Sequence, residues 1–356
     1  MKITAVESAL EEFPLTRPYA IAGEQPIASV GNVVVRLRAA DRAGLGSASP
    51  AERVTGESLE SCAGALEPGA LAWLVGRDVR TLPALCREAA RRLPTNPAAR
   101  AAIDVALHDL LAQALELPLV EVLGRAHAEL PTSITIGIRS TEETLIEASE
   151  YVGRGFRVLK IKIGGALEED LERLTRLRER IGRSVAIRVD ANVGYDLEET
   201  ARFFEATAKL DVEFVEQPVP RELFPRVRDL PRDWRRRIAA DESLLDERDA
   251  LALAAPEPAC GIYNIKLMKC GGIEAARRIA TIAETAGVEL MWGCMDESRI
   301  SIAAALHAAF SSPATKYLDL DGSLDLARDV VGGGFTLENG VMRTTGASGL
   351  GLSSPA

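Results

Sequence analysis

Four stretches decide the fold: RVLKIKI at 157–163, VAIRVDAN at 185–192, VEFVEQP at 212–218 and RIAADES at 237–243. Each is a short run rich in Val, Ile or Ala that closes on charged residues. Working outward, SITIGI at 133–138 precedes them, and GIYNIKL at 261–267, VELMWGC at 288–294 and KYLDLDG at 316–322 follow. The segments between have helical periodicity and helix-start signals, with Ser140 three residues before Glu143 and Asp196 three before Glu199. Eight strand-like runs alternating with helices predict an α/β protein built on a (β/α)8-type barrel, a modified TIM barrel, over 126–321. The Gly-rich phosphate turn often found in an open doubly wound sheet is missing.

The flanks do not follow this repeat. Residues 1–125 offer strand-like runs at 2–12 and 32–42 and then helical segments, the clearest at 96–115, which predicts an α+β capping domain. After Asp321 there is no long amphipathic helix. FTLENGVMRTT at 335–345 instead suggests that 322–356 returns to the capping domain as an extra strand pair.

Composition narrows the function. The 356 residues carry a formal net charge of −10, which argues against nucleic acid as a partner, since backbone affinity needs Lys and Arg to neutralise phosphates. Cys62, Cys86, Cys260, Cys270 and Cys294 are scattered and odd in number, with no CxxC pair, as in a reducing cytosol. The N-terminus, MKITAVESALEEF, has acids where a signal peptide needs a basic and then an apolar run. No apolar stretch reaches membrane-spanning length. The expectation is a soluble cytoplasmic protein with no membrane partner.

The chemistry lies at the strand ends, which face the active site in a barrel of this kind. Lys160 and Lys162 end the second run, Asp190 and Asn192 the third, Glu216 the fourth, Asp241 the fifth, Lys266 the sixth, and Asp319 and Asp321 the eighth. Residues two apart on a strand share a face, so each pair points together into the mouth. Asp190, Glu216, Asp241 and Lys266 follow one another at intervals of 26, 25 and 25 positions, one βα unit per step. Three carboxylates on adjacent strands form an oxygen-only site suited to a hard cation, magnesium being the natural choice. Lys162 and Lys266, four strands apart, face the two sides of one carbon, a geometry that fits epimerisation or racemisation. Lys269 reads as a bystander of Lys266. His108, His127 and His307 end no strand run, so a histidine base is not expected.

At these residues the sequence resembles the enolase superfamily, specifically its muconate-lactonizing subgroup, along nearly the whole chain. The motifs are LKIKIG at 159–164, RVDAN at 188–192, EQP at 216–218, ADES at 240–243 and NIKLMKCGG at 264–272. The resemblance implies that Asp190, Glu216 and Asp241 bind Mg2+, that Lys162 and Lys266 are the acid/base pair, and that Lys160 assists at the substrate carboxylate. It also implies that loops at 17–25 and 48–57 close over the mouth and choose the substrate, and that the protein forms a homo-oligomer. The pair Asp319 and Asp321 resembles the dipeptide epimerases, where it binds the substrate ammonium.

That resemblance implies inversion of the α-carbon of the C-terminal residue of an L,L-dipeptide by two-lysine proton transfer. Glu24 stands where Ala-Glu epimerases carry an arginine, Asp296 stands where relatives have an apolar residue, and Glu52 falls in the second capping loop. These acids point to cationic dipeptides containing Lys or Arg. The alternatives are an Ala-Glu epimerase, an N-acylamino acid racemase, an o-succinylbenzoate synthase or muconate cycloisomerase, and a catalytically silent binding protein on the same scaffold.

Overall fold

A computed structural model describes residues 1–19 and 27–355. The N-terminal part opens with β1 (Ala5–Tyr19), β2 (Ile27–Ala39) and β3 (Arg42–Ala48), an antiparallel sheet in that order. On β2, Val33, Val35, Leu37 and Ala39 are buried at every second position, so one face of the sheet is apolar. That face meets the helix Pro97–Ala114, whose buried residues lie all around it because it is wedged between the sheet and the barrel. Gly44 and Gly46 on β3 allow the contact: a Cβ on Gly46 would lie 1.9 Å from the Ala102 carbonyl oxygen.

A short strand, β4 (Leu130–Pro131), leads into the barrel. Its strands are β5 (Ile134–Ile136), β6 (Val158–Lys162), β7 (Ala186–Asp190), β8 (Val212–Glu216), β9 (Ile238–Ala240), β10 (Ile262–Ile265), β11 (Glu289–Trp292) and β12 (Thr315–Leu318). All eight expected runs are strands, paired in chain order and parallel throughout. A parallel bridge between Thr132 and Leu318, with the Ser133 N–H donating to the Leu318 carbonyl at 3.0 Å, closes the sheet on itself. The capping boxes at Ser140/Glu143 and Asp196/Glu199 are both formed. No helix follows β12 among the described residues. The chain goes on to β13 (Gly332–Gly333), β14 (Phe335–Glu338), β15 (Val341–Thr344) and β16 (Leu352–Ser353). The β14–β15 hairpin pairs with β4, while Gly349 and Leu350 reach back to Leu117, Leu119 and Asp109 of the N-terminal part.

Strand alternation sorts the barrel into an outer apolar layer and a filled interior. Leu159, Val189, Val215, Ile238, Tyr263 and Leu290 join the main core under the helices, whereas Phe214, Ala239, Ile262, Met291 and Tyr317 form a separate cluster inside. Arg188 stacks over Tyr317 and Phe214, its guanidinium carbon 4.9 and 5.5 Å from their ring centres, and donates to the Leu318 carbonyl at 2.8 Å. One step further along each strand, two residues on, come Glu216, Asp241, Asn264, Asp319 and Asp190. The apolar plug is therefore the floor on which the charged residues stand. His108 and His307 are buried on their helices, and His307 Nδ1 accepts the Val120 N–H at 2.9 Å.

Because Gly46 meets a backbone carbonyl that cannot retreat, Gly46→Ala should lower stability by about 1–3 kcal/mol. A shift in the urea midpoint of purified protein measures this.

Candidate active site

The strand-end residues converge on one buried charge cluster. Asp190 ends β7, Glu216 ends β8, Asp241 follows β9, and Lys266 follows β10. Lys160, 3% exposed, lies with Nζ 2.7 Å from Glu216 Oε2, 3.0 Å from Asp190 Oδ2 and 2.7 Å from Asp319 Oδ2. Its strand is interior to the sheet, so it is no solvated edge lysine. Lys162 donates to Asp190 Oδ2 and to Asn192 Oδ1, both at 2.7 Å. On the other side Lys266 donates to Asp241 Oδ2 at 2.8 Å.

Burial and mutual repulsion set the charges. Burial and the neighbouring Asp190 push the Glu216 carboxyl up to about 8. Burial would also raise Asp190, but Lys160 and Lys162 bring it down to about 2. Burial opposes the charge on Lys160 and Lys266, yet the carboxylates around them hold both ammonium groups above the usual lysine range. Glu216 is fully buried, and its Oε2 has no aligned hydrogen-bond donor despite the nearby Lys160. A buried carboxyl oxygen without a donor, beside two more carboxylates, is the donor set that a divalent hard cation satisfies. Asp190, Glu216 and Asp241 therefore fit magnesium.

Sequence reading passed over the residues that orient these groups. Asn264 Nδ2 donates to Glu216 Oε1 at 2.7 Å. Gln217 Oε1 accepts the N–H groups of Asp241 and Ser243 at 3.0 and 3.1 Å, which fixes the turn after β9. Lys269, expected as a bystander of Lys266, is buried instead and donates to the carbonyls of Asp241 at 2.7 Å and Asn264 at 3.0 Å and to Asp241 Oδ1. The spacing of the NIKLMK motif was the available signal, because one turn of helix brings Lys269 back beside Lys266. Asn192, Val193 and Gln217 have positive φ, costly for the β-branched Val193, in the turns behind the metal-site carboxylates.

The proposed specificity residues fall in different places. Asp319 is drawn into the charge cluster by Lys160 and by the Ser133 hydroxyl, which donates at 2.6 Å, while Asp321 Oδ2 accepts the Thr135 N–H at 2.7 Å. Asp321 is left the more open of the pair. Asp296 is partly buried, and its backbone carbonyl accepts from Ser49 Oγ at 2.8 Å and Asn32 Nδ2 at 3.3 Å. Its loop is thus held by the N-terminal domain. Glu52 is exposed on the short helix Glu52–Thr55. Glu24 lies outside the described residues.

Residues 143–354 match the enolase C-terminal domain-like family, and residues 5–124 match the mandelate racemase / muconate lactonizing enzyme N-terminal domain. The chain belongs to the enolase superfamily. It is 61% identical to the L-Lys-D/L-Arg epimerase of Methylococcus capsulatus over the full length of both chains. It is 35% identical to the L-Ala-D/L-Glu epimerase of Bacillus subtilis, covering 100% of this chain and 98% of that one. A crystal structure of the dipeptide epimerase from Methylococcus capsulatus in complex with Mg and the dipeptide L-Arg-D-Lys superposes with a TM-score of 0.97 at 61% identity, covering 99% of this chain and 100% of that one.

The raised carboxyls give a pH dependence of stability. Burial and Asp319 push Asp321 up to about 7, and burial pushes Glu297 and Glu216 up to about 8. Each holds its proton in the fold at pH values where the unfolded chain has lost it, so stability falls as pH rises toward 8. His307, which burial pushes down to about 4, opposes this only below about 6.5. The Tm of chelator-treated protein should therefore fall between about pH 6.5 and 8, and excess magnesium should shrink the fall.

Proposed function

We propose that this chain is an isomerase that epimerises dipeptides carrying Lys or Arg, inverting the α-carbon of the C-terminal residue. The observation that carries the reading is the placement of Lys162 and Lys266 on opposite sides of a ring of eight strands, with Asp190, Glu216 and Asp241 between them. One lysine amine takes the α-proton from one face, and the other delivers a proton to the opposite face. The lysine acting as base must be neutral, and a cation held at the carboxylates would offset the negative charge that keeps the Lys266 ammonium protonated.

Asp190, Glu216 and Asp241 would hold magnesium, which would supply positive charge to offset the negative charge that develops when the α-proton leaves. Lys160, already fixed between these carboxylates, adds a second cation at the substrate carboxylate. Asp319 and Asp321 take the substrate ammonium at the far end. Glu24, Glu52 and Asp296 supply negative charge toward the side chains, where each shielded bond to Lys or Arg is worth roughly 1.5–3 kcal/mol. The close similarity to an L-Lys-D/L-Arg epimerase supports the cationic preference. The five cysteines are unpaired thiols, four of them buried, which suits a reducing cytoplasm.

Lys162→Ala and Lys266→Ala should each abolish epimerisation while leaving the fold intact. Near-native turnover in either variant would reject the two-base assignment. Titration calorimetry should find one magnesium per chain, and Asp190→Asn should weaken it at least tenfold; unchanged affinity would remove Asp190 from the metal site.

A dipeptide library incubated in deuterated water and read by mass spectrometry tests the substrate class. Arg-Lys and Lys-Arg should exchange at one α-carbon faster than Ala-Glu by tenfold or more, and Glu24→Arg should narrow the gap. A native preference for Ala-Glu would overturn the charge argument and leave the epimerase reading in place.

A further inference from the structure

Lys266 stands at the start of a single helical turn, Leu267–Cys270, that ends at Gly271 and runs through Gly272 into the long helix Ile273–Ala286. That long helix begins at Gly272, which has no side chain to cap it. Its first N–H groups would be left without acceptors. The acceptor comes from the N-terminal domain: Asp104, on the helix Pro97–Ala114, takes the Ile273 N–H on Oδ1 at 2.7 Å and the Glu274 N–H on Oδ2 at 3.3 Å. Asp104 is itself buried, with His108 Nδ1 3.1 Å from Oδ1.

The approach is closed to anything but glycine. A Cβ on Gly272 would lie 2.4 Å from the Asp104 Cβ, and one on Gly271 would lie 2.6 Å from Arg100 Nε. Both glycines have positive φ, 91° at Gly271 and 112° at Gly272. At the other end Lys269 pins the same turn to the barrel through its bonds to Asp241 and Asn264. Three donors meet three acceptors, so Lys269 is saturated and has no donor left for a substrate. The Lys266 backbone is thus held between two anchors, one in the barrel and one in the other domain.

We infer that Asp104 of the N-terminal domain is a positioning residue for Lys266: it caps the helix that follows the Lys266 turn and so fixes where the Lys266 amine stands. The inference rests on the reading of Lys266 as one of the two proton carriers. Asp104 touches neither metal ligands nor Lys162, whose strand lies across the barrel. Its loss therefore disturbs one face of the substrate carbon and spares the other.

The magnesium-loaded enzyme is incubated in deuterated water with Arg-Lys carrying either an L or a D residue at the C-terminal position. Exchange of the α-hydrogen is followed separately for each epimer at early times. Lys266→Ala identifies the epimer that depends on Lys266, because it silences that exchange alone. In Asp104→Asn, which keeps the shape but loses the charge and one acceptor, exchange from that epimer should fall by about tenfold or more, while the other stays within about twofold. KM should hold while kcat falls. Asp104→Ser, a smaller capping side chain, serves if the Asn variant does not fold, with the same expected asymmetry.

An equal fall for both epimers, or a lowered Tm with both exchange rates unchanged, would show a merely structural role and overturn the inference. Wild-type protein that exchanges neither epimer would overturn the epimerase reading and this inference with it.

Discussion

Three carboxylates buried at the end of three adjacent strands are the constraint on which the rest of this molecule depends. Asp190, Glu216 and Asp241 are each almost wholly removed from water. Like charges so placed repel strongly at low dielectric and lose their hydration as well. The fold answers with cations inserted from neighbouring strands. Lys160 enters from β6, while Lys266 and Lys269 enter from the turn after β10. The same arrangement that makes the site tolerable sets two amines, Lys162 and Lys266, beside a donor set that fits a divalent cation.

Holding that cluster in place is a task shared by the barrel interior and the second domain. From below, Phe214, Ile262, Met291 and Tyr317, with Arg188 stacked on two of the rings, leave no room for the charged layer to sink. From above and to the side, Asn32 and Ser49 bind the Asp296 carbonyl and Ser47 accepts from Ser301, so the loop after β11 is fastened to the N-terminal sheet. The N-terminal domain consequently helps to hold a loop at the C-terminal end of the barrel.

How far the sequence could be read follows from which signals are local. The eight strands were legible because each is a short apolar run, six of them closing on a charged residue, and the three carboxylates were legible because a βα unit has a nearly constant length. Lys160 and Lys162 were legible from alternation alone. Lys269 was not, because its burial depends on where the Lys266 turn packs, and solvated lysines at that spacing are ordinary. Asn264 and Gln217 were silent for a related reason: an amide that orients a carboxylate looks, in sequence, like any other polar residue. Asp104 was hidden furthest, since its partners lie 169 and 170 positions away on the other domain.

The residues on which the proposed reaction and the proposed choice of substrate rest occupy different kinds of structure. Lys162, Lys266 and the three carboxylates proposed to serve proton transfer stand at, or one residue past, the ends of strands whose spacing is fixed by hydrogen-bonded register. The acids proposed to meet the substrate side chains that the structure describes, Glu52 and Asp296, lie instead on a short helix and in the loop after β11, where a charge can be reversed without disturbing a strand. The 35% identity to an L-Ala-D/L-Glu epimerase and 61% identity to an L-Lys-D/L-Arg epimerase fit that separation. Asp319 stands between the two regimes. It is bonded to Lys160 in the charge layer and lies two residues from the more open Asp321, so a change at Asp319 would disturb the charge layer and the carboxyl pair together.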